Sequence, residues 1–588
     1  MDQPAARSRF PSKLGFCQTR HVPRERGARS WESALPRQWV STSASIHFAE
    51  PQPIEQPESE PDLCFEPCPK TDFVPLNFDD PKAAYQSKSS VDLLRNLAVL
   101  SACQFEPLVN NADKLLKAAT IFPGTTLTYW VVKQTFFRHF CAGEDEGSIR
   151  PSLKKLHASG IGAILDYAAE DDSDGGAASR SEETGSVVAR TYDYETEEAC
   201  DKHRDIFLRS IMAAADAPGQ GFAAIKVTAL GNPKLLERVS TTLSELHRLF
   251  ERFDTDDSGF ITKDKFFKVY EQLFVDANPE RMEEVFNQLD TNHNGHVDYI
   301  GWTKRVSIGD VPRIVQSCKH KGPLAQSALS DEELELFDAM MSRLFKCAEV
   351  ADKAGVRLMI DAEHSYFQAA INHAARQLSK RYNKTSPTIY QTYQCYLQDS
   401  YDRVCRDMTR AKQDGYIFAA KLVRGAYMSL ERQRATDKHY ESPIWEDKPH
   451  TDANYDRCVD EVIRHHHETG AEVMIATHNQ QSVEHAVGLM HQLDLDPQKT
   501  GVFFGQLLGM SDPLTFVLGE NGYKAYKYVP FGPIGETMPY LIRRAQENGA
   551  VLEGLKKEKA LMRTELWRRF KEESFMSGLF GGSKQKQA

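Results

Sequence analysis

Near the C-terminal end, PYLIRRAQENG (Pro539 to Gly549) places two adjacent arginines between a tyrosine and a glutamate. Read as a helix, it has Pro539 in the first turn, where the missing N–H costs nothing, and Gly549 as a stop. Tyr540 lies three residues before Arg543 and four before Arg544, and Glu547 lies four after Arg543 and three after Arg544. Side chains three and four apart share a helix face, so the four groups converge. Leu541, Ile542 and Ala545 are left to pack. A solvated, charged face is one reading of such a pair. The other is an anion clamp, because guanidinium groups grip a carboxylate in a planar, two-bond fork that lysine lacks. The elements that carry and surround this helix decide between the two.

Upstream, short apolar runs rich in β-branched and aromatic residues alternate with amphipathic stretches. The runs are GIGAILDYA (160–168), GFAAIKVTA (221–229), GVRLMIDAE (355–363), TIYQTYQ (388–394), YIFAAKLVRGAY (416–427), AEVMIATHN (471–479), GVFFGQLLG (501–509) and AYKYVPFG (525–532). Strand-then-helix repetition implies a parallel sheet, and eight units predict a closed (β/α)8 barrel, an α/β fold. An open doubly wound sheet competes, but no GxGxxG follows the first run. Most of the runs end in chemically capable residues: Lys226, Asp361, Gln391, Lys421 with Arg424, Thr477 with His478, Gln506 and Tyr528. In such barrels the active site lies at the C-terminal strand ends. The helix bearing Arg543 and Arg544 follows the eighth run and can lean over that mouth.

The chain is long enough for several units, with 588 residues and a net charge of −11, which disfavours a general nucleic-acid binder. Its eleven cysteines include no CxxC pair, which reads as reduced thiols. No apolar run is long enough to cross a membrane. Residues 1–49 carry eight basic residues against three acids, the composition of a mitochondrial transit peptide. Residues 50–89 read as an acidic, proline-rich linker or arm, and 90–157 as an N-terminal helical region. EDDSDGGAASRSEETG (170–185) reads as an exposed loop. The barrel is assigned to 158–234 and 326–570, an insert to 235–325, and a tail to 571–588. Leu566 to Gly582 mixes aromatic and basic residues, a pattern for a membrane interface or for a helix docked on the barrel.

The insert contains two helix–loop–helix patterns resembling a pair of EF-hands. The first loop, DTDDSGFITKDK (254–265), offers Asp254, Asp256, Ser258, the Phe260 carbonyl and Thr262. The second, DTNHNGHVDYIG (290–301), offers Asp290, Asn292, Asn294, the His296 carbonyl and Asp298. Both have glycine at the turn, but the bidentate glutamate expected at position twelve is Lys265 in one and Gly301 in the other. The expectation is folded loops with weak Ca2+ binding, at a dissociation constant of about 10⁻⁴ M or above, better in the second loop.

AILDYAAE, IKVTAL, MIDAE, QTYQCYL, KLVRGAY, ATHN, QLLGM, YVPFG and PYLIRRAQEN, in this order over roughly 160–550, resemble the proline dehydrogenase family in its mitochondrial eukaryotic form. The resemblance implies an FAD-dependent barrel that oxidises L-proline to 1-pyrroline-5-carboxylate and passes electrons to a membrane quinone. It would lie peripherally on the matrix side of the inner mitochondrial membrane. It implies that Lys226, Arg543 and Arg544 hold the substrate carboxylate, that Tyr528 and Tyr540 wall the ring, that Leu507 presses on its apolar face, and that Glu547 fixes the arginines. Asp361 and Ala362 would approach flavin and substrate. Gln391, Val423, Arg424, Gly425, Ala426, Tyr427, Thr477, His478, Asn479 and Gln506 would hold FAD. Lys421 stands where many bacterial relatives have arginine, keeping a cation without its planar fork. Two alternatives compete. One is hydroxyproline oxidation on the same scaffold, which the bulk of Tyr528 near ring C4 disfavours. The other is a calcium-responsive binding protein on an inactive barrel, which the full set of mouth residues argues against.

Overall fold

The computed structural model describes residues 75–168, 196–550 and 552–580; the side chains of 549–550, 552–553 and 573–580 are not among those described. The basic N-terminal stretch and the 170–185 loop lie outside these residues.

Among the described residues ten strands are present: β1 Gly162–Tyr167, β2 Phe222–Ile225, β3 Phe260–Thr262, β4 His296–Asp298, β5 Arg357–Ile360, β6 Ile389–Gln394, β7 Ala419–Val423, β8 Glu472–Ala476, β9 Val502–Leu507 and β10 Ala525–Phe531. Eight of them close a barrel in the order β1-β10-β9-β8-β7-β6-β5-β2, with every pairing between them parallel. Each barrel strand falls inside one of the eight apolar runs.

Strand periodicity assigns the side chains to two faces. Ile164, Phe222, Ala224, Met359, Tyr390, Ala419, Met474, Phe503 and Tyr526 form one cluster inside the barrel. Their neighbours along the strands, among them Leu165, Ala223, Leu358, Ile389, Leu422, Ile475 and Val529, join the larger core beneath the surrounding helices. At the N-terminal end of the barrel Arg357 donates to Glu472 at 3.0 and 2.9 Å and to the Tyr390 hydroxyl at 2.9 Å. Its guanidinium also lies 5.3 Å from the centre of the Phe503 ring. That end is therefore plugged by a satisfied ion pair, and the chemistry is left to the other end.

The C-terminal part of the 50–89 arm docks on the domain. Asp80 caps the helix Pro81–Tyr85 by accepting from the Lys82 and Ala83 amides at 2.8 and 3.3 Å. Tyr85 is buried with Leu93, Leu100, Leu555 and Met562. Arg569 on the helix Leu552–Phe580 donates back to the carbonyls of Tyr85 and Lys88 at 2.8 and 2.7 Å. The residues from about 76 on are thus a docked part of the domain, and the last helix runs through the boundary drawn at 571.

The insert begins without a break. The helix Pro233–Phe253 packs its first half with the barrel core through Leu235, Leu236 and Val239, and its second half with a separate core of Phe253, Phe266, Phe286 and Trp302. β3 and β4 pair antiparallel, with Ile261 opposite Val297, and join the two helix–loop–helix units. After the insert, Ser330 and Glu333 form a capping box that starts the helix Asp331–Ala354 leading into β5.

Candidate active site

At the C-terminal end of the barrel the inward parity continues into polar side chains. On β1 it selects Asp166, after β2 Lys226, on β6 Thr392 and Gln394, on β7 Lys421 and on β10 Tyr528, with the apolar Leu507 on β9 among them. Asp361 follows β5 and joins three of the strands. Its carboxylate accepts from Lys421 Nζ at 2.6 Å and from the Tyr528 hydroxyl at 2.9 Å. The Lys421 ammonium also sits 4.8 Å from the centre of the Tyr528 ring. Burial raises the pKa of Asp166 above the ordinary carboxylate range; Lys226 pulls it down, Asp361 pushes it up and Lys421 pulls it down. Glu363 is buried, accepts from the Thr228 amide at 3.1 Å and hydroxyl at 2.6 Å, and is likewise raised by burial. Asp166 and Glu363 were not among the expected site residues. Both stand in quoted motifs, but only burial beside other charges marks them.

The helix Met538–Ala550 lies at this mouth. Tyr540 is buried in a cluster with Phe137, Phe140, Leu541 and Ala545, against which Leu507 packs. The Arg544 guanidinium lies 5.2 Å from the centre of the Tyr540 ring and donates from Nη2 to Glu547 Oε1 at 2.5 Å. Arg544 Nε and the Tyr540 hydroxyl are buried and find no hydrogen-bond partner among the described residues. A buried donor without an acceptor is costly, and a carboxylate is the kind of group that would satisfy it. Arg543, half-buried, is near enough to Tyr427 to pull its phenol pKa down against burial, Glu363, Asp361 and Tyr396, which raise it.

Beside the clamp, Arg424 donates to Asp452 at 2.5 Å, to the Thr477 hydroxyl at 2.6 Å and to the Ser482 hydroxyl at 2.9 Å. Asn479 caps the helix Gln480–Gln492 that carries Ser482. Gly425 sits at φ +129°, and a Cβ there would lie 2.5 Å from the Tyr396 ring, so no other residue fits without displacement. Ala426 is exposed next to it, Val423 ends β7, and Tyr427 packs at 4.2 Å, ring to ring, on His364. His478 is exposed, with Nδ1 3.0 Å from the Ser511 hydroxyl. A guanidinium held at a helix N-terminus, beside a side-chain-free backbone, suits an anionic dinucleotide. Buried Thr392 Oγ1 also lacks a partner among the described residues. These groups fit FAD.

Two glutamines expected at the cofactor are placed elsewhere. Gln391 faces outward and donates to Asn372 Oδ1 at 3.2 Å, in the shell between barrel and helices. The inward glutamine of QTYQ is Gln394, which donates to the Glu363 carbonyl at 2.9 Å. Gln506 also faces outward, donating to the Thr477 carbonyl at 3.2 Å and accepting from the Thr515 hydroxyl at 2.9 Å. It braces Thr477 from behind.

A second charge network supports the loop after β9. Lys527, fully buried on the outer face of β10, lies 3.0 Å from Asp512 and donates to the Met510 carbonyl at 2.6 Å. Lys88 of the N-terminal arm pairs with the same aspartate. Glu558 of the last helix accepts from the Ser511 and Asp512 amides at 3.3 Å each. Burial and the neighbouring Asp512 push the Glu558 carboxyl up to about 7.

In the insert, Lys265 takes the position of a metal. Its ammonium lies 3.1 Å from Asp254 Oδ1, 2.8 Å from Ser258 Oγ and 2.9 Å from the Phe260 carbonyl, and it pairs with Asp256. Thr262 instead caps the following helix. In the second loop Asp290 accepts from the Asn294 and Gly295 amides at 3.2 and 2.9 Å, Asn294 from the His296 amide at 3.1 Å, and Asp298 from the Gly301 amide at 2.5 Å. Among the described residues no three His, Cys, Asp or Glu side chains converge as a metal site.

A closed parallel barrel with charged side chains and an unmet buried guanidinium donor gathered at its C-terminal mouth has the architecture of a barrel enzyme. The profile of the proline dehydrogenase family matches residues 150–557. The chain is 36% identical over 541 residues to human "Proline dehydrogenase 1, mitochondrial", covering 84% of this chain and 90% of that protein. It is 30% identical over 496 residues to the "Hydroxyproline dehydrogenase" of Xenopus laevis, covering 84% and 90%. Among solved structures, proline utilization A from Bdellovibrio bacteriovorus superposes with a TM-score of 0.50 at 16% identity, over 82% of this chain and 40% of that one. The chain belongs to the proline dehydrogenase family.

Proposed function

We propose that this protein binds FAD and oxidises L-proline to 1-pyrroline-5-carboxylate at the barrel mouth. The observation that carries the reading is the buried, unpartnered Arg544 Nε beside Tyr540, in a chain of this family. Arg543, Arg544 and Lys226 bind the substrate carboxylate, and Glu547 keeps the Arg544 fork in one orientation. Tyr528, tied to Asp361, and Tyr540 wall the ring, while Leu507 covers its apolar face and excludes water. Arg424, Thr477 and the Gly425–Ala426 backbone hold the cofactor, with Gln394 in the place expected of Gln391. Bound FAD supplies the two-electron oxidant for the C–N bond. Proline is favoured over 4-hydroxyproline because the Tyr528 ring, fixed by its hydroxyl, occupies the space a ring hydroxyl needs. The relatives named for proline oxidation are also nearer, at 36% against 30% identity.

Mitochondrial placement follows the names of the relatives and the basic composition of residues 1–49. We further propose a membrane quinone as acceptor and peripheral attachment to the inner membrane; no helix among the described residues is long and apolar enough to cross a membrane. The EF-hand-like pair acts as a structural insert. Lys265 keeps calcium out of the first loop, and the second loop binds it weakly. The test is anaerobic spectroscopy of the purified protein. A flavin spectrum bleached by proline supports the reading, and a spectrum unchanged by proline refutes it.

A further inference from the structure

Six of the sixteen exposed large apolar side chains among the described residues fall between 115 and 131: Leu115, Ile121, Phe122, Leu127, Trp130 and Val131. They belong to the helices Ala112–Ala119 and Thr125–Val132 and to the segment Thr120–Gly124 that joins them; the helices fold back on each other with Thr128 Oγ1 donating to the Ala119 carbonyl at 2.7 Å. At the tip, Ile121 and Phe122 are 84% and 86% exposed, about as open as a side chain can be. Phe122 leaves the helical region, at φ −143° and ψ 118°, which separates the two helices. Exposing this much contiguous apolar surface is unfavourable unless something covers it.

The other side of the same hairpin is anchored at the active site. Leu116, Tyr129, Val132 and Phe136 pack against the cluster that contains Tyr540 and Leu541, beside Leu507. The exposed face is therefore carried on the mouth of the barrel. Between 112 and 138 the chain holds four cations, Lys114, Lys117, Lys133 and Arg138, against Asp113 alone, in a protein of net charge −11. All four are exposed, and Lys133 is paired with Glu144. Apolar tips flanked by cations are the pattern of an element lying in an anionic bilayer surface.

We infer that the hairpin 112–132 docks the barrel mouth onto an anionic lipid bilayer, with Ile121 and Phe122 entering the acyl boundary and Lys114 and Lys117 meeting headgroups. This deepens the proposed membrane attachment and moves it from the C-terminal stretch to an element that touches the substrate site. A lipid-soluble acceptor would then reach the oxidising site without leaving the membrane.

The full-length, FAD-loaded protein is sedimented with phosphatidylcholine vesicles containing or lacking phosphatidylglycerol. The wild type is expected to bind the anionic vesicles. Ile121→Asp/Phe122→Asp should weaken binding at least about tenfold, because two charges replace buried hydrocarbon. Lys114→Glu/Lys117→Glu should abolish the preference for anionic lipid. Both variants should keep FAD content and proline-dependent reduction of a soluble dye. Three results would overturn the inference: no wild-type binding, undiminished binding by Ile121→Asp/Phe122→Asp with loss in Trp567→Asp/Phe570→Asp instead, or a wild-type dimer that the hairpin variant splits without any vesicle binding. A wild type that fails to reduce the dye with proline refutes the oxidation reading, while vesicle binding still decides the docking.

Discussion

Arg544 and Lys265 are both long cations carried on helices, and they differ in what remains to be satisfied. Lys265 finds Asp254, Asp256, Ser258 and the Phe260 carbonyl within its own helix–loop–helix unit. Nothing is left for a metal to do there. Arg544 spends one arm on Glu547 and keeps Nε buried with no acceptor among the described residues. The first arrangement is finished when the chain folds; the second waits for an anion. Ligand-binding motifs therefore have to be judged by unmet hydrogen-bonding capacity as well as by residue type.

The comparison is broken most forcefully at the clamp. Arg544→Ala removes a charge-assisted partner of the substrate carboxylate and should cost about 2–4 kcal/mol of transition-state stabilisation, read as kcat/KM for proline, with FAD content nearly unchanged. Near-wild-type efficiency would mean that the unmet donor is not used.

On the insert, Lys265→Glu removes the internal cation and restores the twelfth-position carboxylate. The wild-type first loop should show no calcium binding by calorimetry, and the variant should gain a site with a dissociation constant of about 10⁻⁵ M or tighter. Calcium binding at the wild-type first loop would show that the ammonium is readily displaced.

The walls of the clamp come next. Tyr528→Ser frees space above Asp361 and should lower the ratio of proline to 4-hydroxyproline efficiency. An unchanged ratio would leave the selectivity to another residue.

The smallest effect lies in the buried network behind the mouth. Glu558 has a folded-state pKa of about 7, above its unfolded value near 4.5. Between these pH values the unfolded chain binds fewer protons than the folded one, so this group's contribution is full below about 4.5 and is lost as pH rises through about 7. Glu558→Gln should flatten the decline of Tm over that interval; a profile that keeps the wild-type slope would assign it elsewhere.

The eight strands were legible because apolar runs and punctuating helices follow from local periodicity. The grouping of Arg544 with Tyr540 and Glu547 was legible because helix spacing alone puts them on one face. Gln391 and Gln506 show where that logic fails. Gln391 lies mid-strand in β6 and Gln506 next to last in β9, the parity set by Tyr390 and Phe503 turns both away from the lumen, and Gln394 takes the inward place of β6. Asp166, Glu363 and Lys527 were not legible for another reason. Their burial depends on partners from distant strands, and a charged residue in a sequence shows no trace of being enclosed. That the arm at 76–89 docks was not legible, because the Tyr85 anchor acts through contacts with the last helix, far along the chain.

The most direct test of the account is a crystal structure of the FAD-loaded protein with a non-oxidisable five-membered-ring carboxylate in place of proline, grown in calcium. The account predicts the carboxylate within hydrogen-bond distance of Arg544 Nε, the ring between Tyr528 and Tyr540, and the Lys265 ammonium still seated among Asp254, Asp256 and Ser258. A carboxylate bound away from Arg544, or a calcium ion in place of the ammonium, would contradict it.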